Sequence, residues 1–173
     1  AEWLKTLVEN MLNMTRIENG TLEADKKIEV IDDIISEAVN HVNGLLERQF
    51  KINMPNELIT ASMDGKMIVQ VLVNLLDNAV AHTYKNCPIE LTVTKKDDYV
   101  QFTVEDGGPG IEENIRDDLF TAFVKSSKSK IDGKKGMGLG LAICKAIIQS
   151  HGGTISADCS ALGGAAFKFT LPN

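Results

Sequence analysis

Apolar residues recur at three- and four-residue spacing over residues 2 to 19. There Trp3, Leu4, Leu7, Val8, Met11, Leu12, Met14 and Ile17 predict an amphipathic helix that Gly20 stops. A short strand is expected over 28 to 31. Asp32 or Asp33 then caps a second helix, whose stripe is Ile34, Ile35, Ala38, Val39, Val42, Leu45 and Leu46. Extended pieces follow at Lys51 to Met54 and Ile59 to Met63, around a Pro55-Asn56 turn. Asp64 caps a strongly apolar helix running to about His82. Two alternating segments, Ile89 to Lys95 and Tyr99 to Glu105, flank Lys96-Asp97-Asp98 and predict a β-hairpin. Residues 106 to 137 read mostly as loop, with one helical piece near 112 to 118. Gly140 to Ser150 predicts a further helix that Gly152 ends, and strands near 154 to 158 and 165 to 171 close the chain. Helices interleaved with paired strands imply an α/β (α+β) two-layer sandwich, its mixed, mainly antiparallel sheet backed by helices.

Composition narrows the class. With 173 residues, 43% hydrophobic and 24% charged, the chain supports one packed core and excludes disorder or a disulfide-stapled miniprotein. No apolar run approaches the ~18 residues of a membrane span, and the N-terminus has no signal pattern. A soluble chain is therefore the expectation, and its start at Ala1 without Met suggests a fragment. The net charge of −6 favours neither nucleic acid nor anionic lipid. Locally the balance reverses: Lys125, Lys128, Lys130, Lys134 and Lys135 share one short stretch. Seven of the 14 glycines also fall between 107 and 140. Glycine beside lysine suggests backbone held close to an anion. Cys87, Cys144 and Cys159 have no metal-ligand spacing and read as reduced, structural thiols.

Three segments carry candidate chemistry. On the helix over 64 to 82, Gln70, Asn74, Asn78 and His82 lie four apart, on one side of an otherwise apolar element. Amides there need partners, so a satisfied structural network or a solvated face competes with a ligand site. A neutral amide oxygen also suits magnesium that keeps most of its shell for phosphate and water. Second, Asp106-Gly107-Gly108-Pro109-Gly110 follows an apolar strand. It reads either as a simple turn or as an acceptor for an exocyclic amino group, beside backbone that admits a flat ring. Third, Gly136-Met137-Gly138-Leu139-Gly140-Leu141 opens a helix, where bare N–H groups favour an anion. No strand precedes it, and the chain has no G-x-x-x-x-G-K-[S/T] phosphate loop.

Taken in order, NLLDNA (74 to 79), DGGPG (106 to 110), LFTAF (119 to 123) and GMGLGLAI (136 to 143) resemble the ATP-binding domain of bacterial sensor histidine kinases. That group is related to type II topoisomerases, the ninety-kilodalton heat-shock chaperones and MutL proteins. The likeness runs on through HGGTI (151 to 155) and the ending GGAAFKFTLP, and its closest flavour is the potassium-responsive Kdp sensor kinases. The resemblance implies a Bergerat-type ATP-binding fold over 21 to 173. It also implies that residues 1 to 20 are the C-terminal part of a dimerisation and phosphoacceptor hairpin.

The implied roles follow residue by residue. Asn78 would ligate Mg²⁺ and Asn74 would line the same site. Asp106 would accept from the adenine amino group, with Gly108 and Gly110 shaping that pocket. Gly136, Gly138, Leu139 and Gly140 would form the phosphate-facing end of a lid over 124 to 137. Phe120, Phe123, Lys125 and His82 complete the implied nucleotide contacts. The chain departs from the family's usual residues at Ala81, His82, Gly107 and Met137.

The related ATPases carry a Glu at the position of Asn74, where it activates water. Asn74 takes no proton, so slow hydrolysis and transfer to a protein acceptor are expected. None of His41, His82 and His151 fits the family's acceptor pattern, so the resemblance implies an acceptor histidine on a hairpin outside this chain. His41 is expected on an exposed helix face and His151 at a helix end, favoured there by the carbonyl dipoles. The implied partners are ATP, that hairpin in a homodimeric parent and a response regulator, without nucleic acid or membrane contact by this fragment. The implied setting is the cytoplasmic side of a membrane sensor. An ATPase of the chaperone or topoisomerase type and a degenerate nucleotide-binding module are the alternatives.

Overall fold

The computed structural model describes residues 2–121 and 138–173. Helix α1 spans Glu2–Glu18, followed by strand β1 (Lys27–Val30), helix α2 (Ile31–His41), strands β2 (Phe50–Asn53) and β3 (Thr60–Met63), and helix α3 (Gly65–Ala81). The hairpin β4 (Ile89–Lys95) and β5 (Tyr99–Asp106) comes next, then the single turn α4 (Glu113–Arg116), helix α5 (Gly140–Ser150) and strands β6 (Ile155–Cys159) and β7 (Ala165–Pro172). The expected elements are all present, within two residues at most ends.

Five strands form one sheet in the order β2-β4-β5-β7-β6, antiparallel except for the parallel pair β2 and β4. β1 and β3 pair antiparallel in a separate two-stranded sheet. Period-two alternation in β5 buries Val100, Phe102, Val104 and Asp106 while the residues between them stay half-buried. Phe102 lies opposite Phe169 of β7, and the rings stack at 4.6 Å. α2, α3 and α5 cover this face, packing α2 on α3 and α3 on α5. Ile34, Ile68, Leu72, Leu75, Leu76, Ile143 and Ile147 are the helical side of the core.

Two local expectations are corrected. Neither Asp32 nor Asp33 caps α2: the cap position is Val30, with no side-chain bond, and both acids lie in the first turn, near the helix dipole. β1 feeds into α2 without an intervening turn, and the Ile31 N–H is met instead by the Ile59 carbonyl (3.0 Å). The helix also stops at His41, so Leu45 reaches the core from the following turns while Leu46 is 72% exposed.

Asp64 caps α3 as expected, accepting from the Met67 N–H (3.3 Å). Its own N–H donates to His151 Nε2 (3.0 Å), and His151 Nδ1 lies 2.8 Å from the Ile147 carbonyl. The ring therefore donates from one nitrogen and accepts at the other. Fully buried and neutral, with burial lowering its pKa, His151 ties the start of α3 to the end of α5. Dipole stabilisation of a charged ring is thus replaced by a buried neutral link. His41 is exposed, as expected. Among the described residues no helix is long and apolar enough to cross a membrane.

Candidate nucleotide site

The β5 register carries Asp106 into the buried face, where it is 6% exposed. Its Oδ1 accepts from the N–H groups of Gly108 (3.0 Å) and Ala165 (3.1 Å), while Oδ2 has no donor among the described residues. Burial raises the Asp106 pKa. The Gly108 and Ala165 bonds and the charges of His82 and Arg48 oppose that rise. One carboxylate oxygen is thereby fixed and the other left for a donor.

The surroundings leave no room for side chains. A Cβ at Gly108 would lie 2.5 Å from Thr83 Cγ2, and one at Gly164 would lie 2.1 Å from Asp106 Oδ1. The Gly164 N–H donates to the Asp106 carbonyl (3.1 Å). Gly110 adopts a φ of +79° facing the Gly164 carbonyl. The β6–β7 turn is thus folded onto the aspartate. Thr83, also buried, donates to the Ala79 carbonyl (2.6 Å) and accepts from Arg48. The Arg48 guanidinium also donates to the Val80 (3.3 Å) and Tyr84 carbonyls, capping the C-terminal end of α3.

The amide column on α3 divides into separate tasks. Gln70 bonds to α1, accepting from Asn13 Nδ2 (2.9 Å) and donating to Asn10 Oδ1 (3.3 Å). Asn74 is buried and donates to the Gly140 carbonyl (3.4 Å) and to Cys144 Sγ (3.8 Å), so its amide tethers α5. Asn78 is half-buried, and its side chain has no hydrogen-bond partner among the described residues. His82 follows at the cap of α3, its pKa lowered by burial against the opposing charge of Asp106. α5 starts beside this column. Gly138 has a φ of +70°, Leu139 is buried at the cap, and among the described residues no side chain caps the first N–H groups. Phe120 meets Phe167 edge to face at 6.4 Å. Phe123, Lys125, Gly136, the lysine cluster and the lid over 124 to 137 lie outside the described residues. Cys87 is half-buried, Cys159 is exposed and Cys144 is buried, with its thiol pKa pushed up to about 12 by burial.

Residue-by-residue reading of the sequence missed Arg48, Thr83, Gly164 and Ala165. The paired glycines 163 and 164 were a local signal. Arg48 and Thr83 had none beyond a polar residue following an apolar helix.

A family model described as histidine kinase-, DNA gyrase B-, and HSP90-like ATPase matches residues 63–173. The chain belongs to that family. Within it, the chain is similar to the sensor protein KdpD of Clostridium acetobutylicum, with 41% identity over 172 residues. That match takes in 99% of this chain but 19% of the relative, so the chain spans about a fifth of that protein's length. The catalytic domain of the histidine kinase ThkA superposes with a TM-score of 0.73 at 29% identity, covering 86% of this chain and 97% of that one. ThkA in complex with the response regulator TrrA covers 98% of this chain and 48% of its own, with a TM-score of 0.73 at 25% identity. Full-length ShkA in complex with AMPPNP covers 98% of this chain and 35% of its own, with a TM-score of 0.78 at 29% identity. The fold is that of histidine kinase ATP-binding domains.

Proposed function

We propose that residues 21–173 bind Mg-ATP and present its γ-phosphoryl to a histidine on a hairpin of the parent protein, for relay to a response-regulator aspartate. The observation that carries this reading is the Asp106 carboxylate. Backbone donors saturate Oδ1, and Oδ2 is left to accept the adenine amino group. Gly108 and Gly110 border the ring's place, and His82 stands beside it. The first N–H groups of α5, around Gly138, Leu139 and Gly140, have no side-chain cap among the described residues and suit phosphate oxygens.

The residues present also fit magnesium. Among the described residues there is no cluster of three His, Cys, Asp or Glu side chains, whereas Asn78 offers one unengaged amide. Magnesium bound with polyphosphate needs only one or two protein ligands. Asn78 would hold it, and the ion would supply charge neutralisation at the phosphates. Asn74 lacks proton affinity, and its amide is committed to α5, which favours transfer over water activation. α1 would belong to the acceptor hairpin. The ThkA catalytic domain alone covers 86% of the chain and the longer kinases 98%, which supports a boundary near residue 20. A dimeric parent anchored in a membrane, with this part on the cytoplasmic side, completes the proposal.

The test is calorimetric titration of Mg-ADP into wild type, Asn78→Ala and Asp106→Asn. In Asp106→Asn the amide oxygen can keep the backbone donors, which turns the NH₂ toward the adenine amino group. Affinity should then fall roughly 10- to 100-fold. Unchanged binding in both variants would sink the assignment. Adding the separate acceptor hairpin with labelled ATP should label its histidine. Brisk phosphate release without labelling would instead identify an ATPase.

A further inference from the structure

Gln70 belongs to the amide column but stands two turns before Asn78. It is the lowest of three amides one turn apart, and it uses both ends of its group on one helix. It accepts from Asn13 and donates to Asn10, two α1 residues three apart and so on one face. The remaining contacts of α1 are of a different kind. Met14 and Ile17 pack partly buried against the core, and α1 also touches α5. Such apolar contacts tolerate sliding and rotation. A two-ended amide bond does not, because turning α1 by one residue (about 100°) carries both asparagines off Gln70. A polar pair within an apolar contact is how helical interfaces specify register at some cost in strength. The opposite face of α1 stays open, with Leu4, Val8, Met11 and Leu12 between 47% and 56% exposed. Docking through Gln70 therefore leaves that apolar stripe unused.

We propose that Gln70 is a positioning residue that fixes the rotation of α1 on the nucleotide-binding unit. It thereby fixes the direction in which an acceptor hairpin continuing from α1 faces the phosphate end of α3 and α5. This rests on the reading of α1 as part of that hairpin. The link is direct, because Gln70 lies on the same helix as Asn78, two turns away, and α5 shares contacts with both α1 and α3.

Hydrogen exchange on this chain tests it. Gln70→Ala and Asn13→Ala should each speed exchange of the α1 amides at 11 to 18 roughly tenfold, and the double variant should add little. Amides of β5 and β7 should keep their protection. Gln70→Glu retains an acceptor that both asparagine amides can reach, so protection of α1 should return. Unchanged α1 exchange, fully additive singles, or equal loosening of β5 and β7 would each overturn the proposal. In the parent protein, Gln70→Ala should lower kcat for histidine phosphorylation with KM for ATP unchanged; an unchanged kcat would reduce Gln70 to a stability role. Mg-ADP titration of the same samples keeps the two readings apart. Failure of wild type to bind would remove the nucleotide reading and leave the helix register standing.

Discussion

Asp106 spends one carboxylate oxygen on the protein and keeps the other, and that division depends on a turn sixty residues away. The Gly164 backbone passes so close that a methyl group there would collide with Oδ1. Gly164→Ala should therefore move either the β6–β7 turn or the aspartate rotamer. Adenine-nucleotide affinity should fall at least about tenfold, a loss on the scale of one misplaced buried hydrogen bond. Gly163→Ala is the matched control. It adds strain at a φ of +102° but meets nothing within 4 Å. It should lower the melting temperature while sparing affinity. Equal loss of affinity in both variants would show that the turn acts only through stability. Asp106 itself was legible in the chain, since the alternation 100, 102, 104 continues into it and glycines follow. Its partners were not, because they are backbone N–H groups, which carry no residue-type signature.

At the scale of the element, α3 combines an apolar body with polar residues that each face a different neighbour. Periodicity showed that Gln70, Asn74, Asn78 and His82 share a side of the helix. It could not show that α1 meets the first and α5 the second, leaving the third unengaged. The end of α3 is held from outside by Arg48, which reaches two carbonyls and the Thr83 hydroxyl. Arg48→Ala should destabilise the chain by about 1–3 kcal/mol in denaturant unfolding. Because Thr83 sits under Gly108, it should also weaken nucleotide binding. Arg48→Lys should fail to restore either, since an ammonium cannot fork across three acceptors. Full recovery with Lys would mean that charge alone matters. The corrected start of α2 teaches the same lesson on a smaller scale. Two aspartates in sequence suggested a cap, but a strand running straight into the helix placed a valine there.

At the scale of the whole molecule, His151 joins the two helices that carry the site. A proton on Nε2 would oppose the Asp64 N–H that now donates to it. Burial holds the folded pKa below the ordinary 6.5, so the unfolded chain binds the proton more readily. His82, lowered by burial despite the charge of Asp106, adds in the same direction. The stability contributed by these neutral rings is present above about pH 6.5 and is lost as pH falls through and below that value. Melting temperature should therefore drop between pH 7.5 and 5.5, and His151→Gln should flatten that slope. An identical slope in the variant would exclude His151 as a source.

The sequence by itself determined the element order, the buried faces of β4 and β5, the cap at Asp64 and the motif set, because these rest on local periodicity and on residue types with particular chemistry. Tertiary structure decided what the polar groups do. It folded the β6–β7 turn onto Asp106, brought Arg48 beneath the end of α3, paired β2 parallel to β4, and made His151, at the helix end where it was expected, a neutral buried link. Each of those outcomes depends on which distant backbone N–H or carbonyl arrives within about 3 Å, a distance set by packing of the core and not by spacing along the chain.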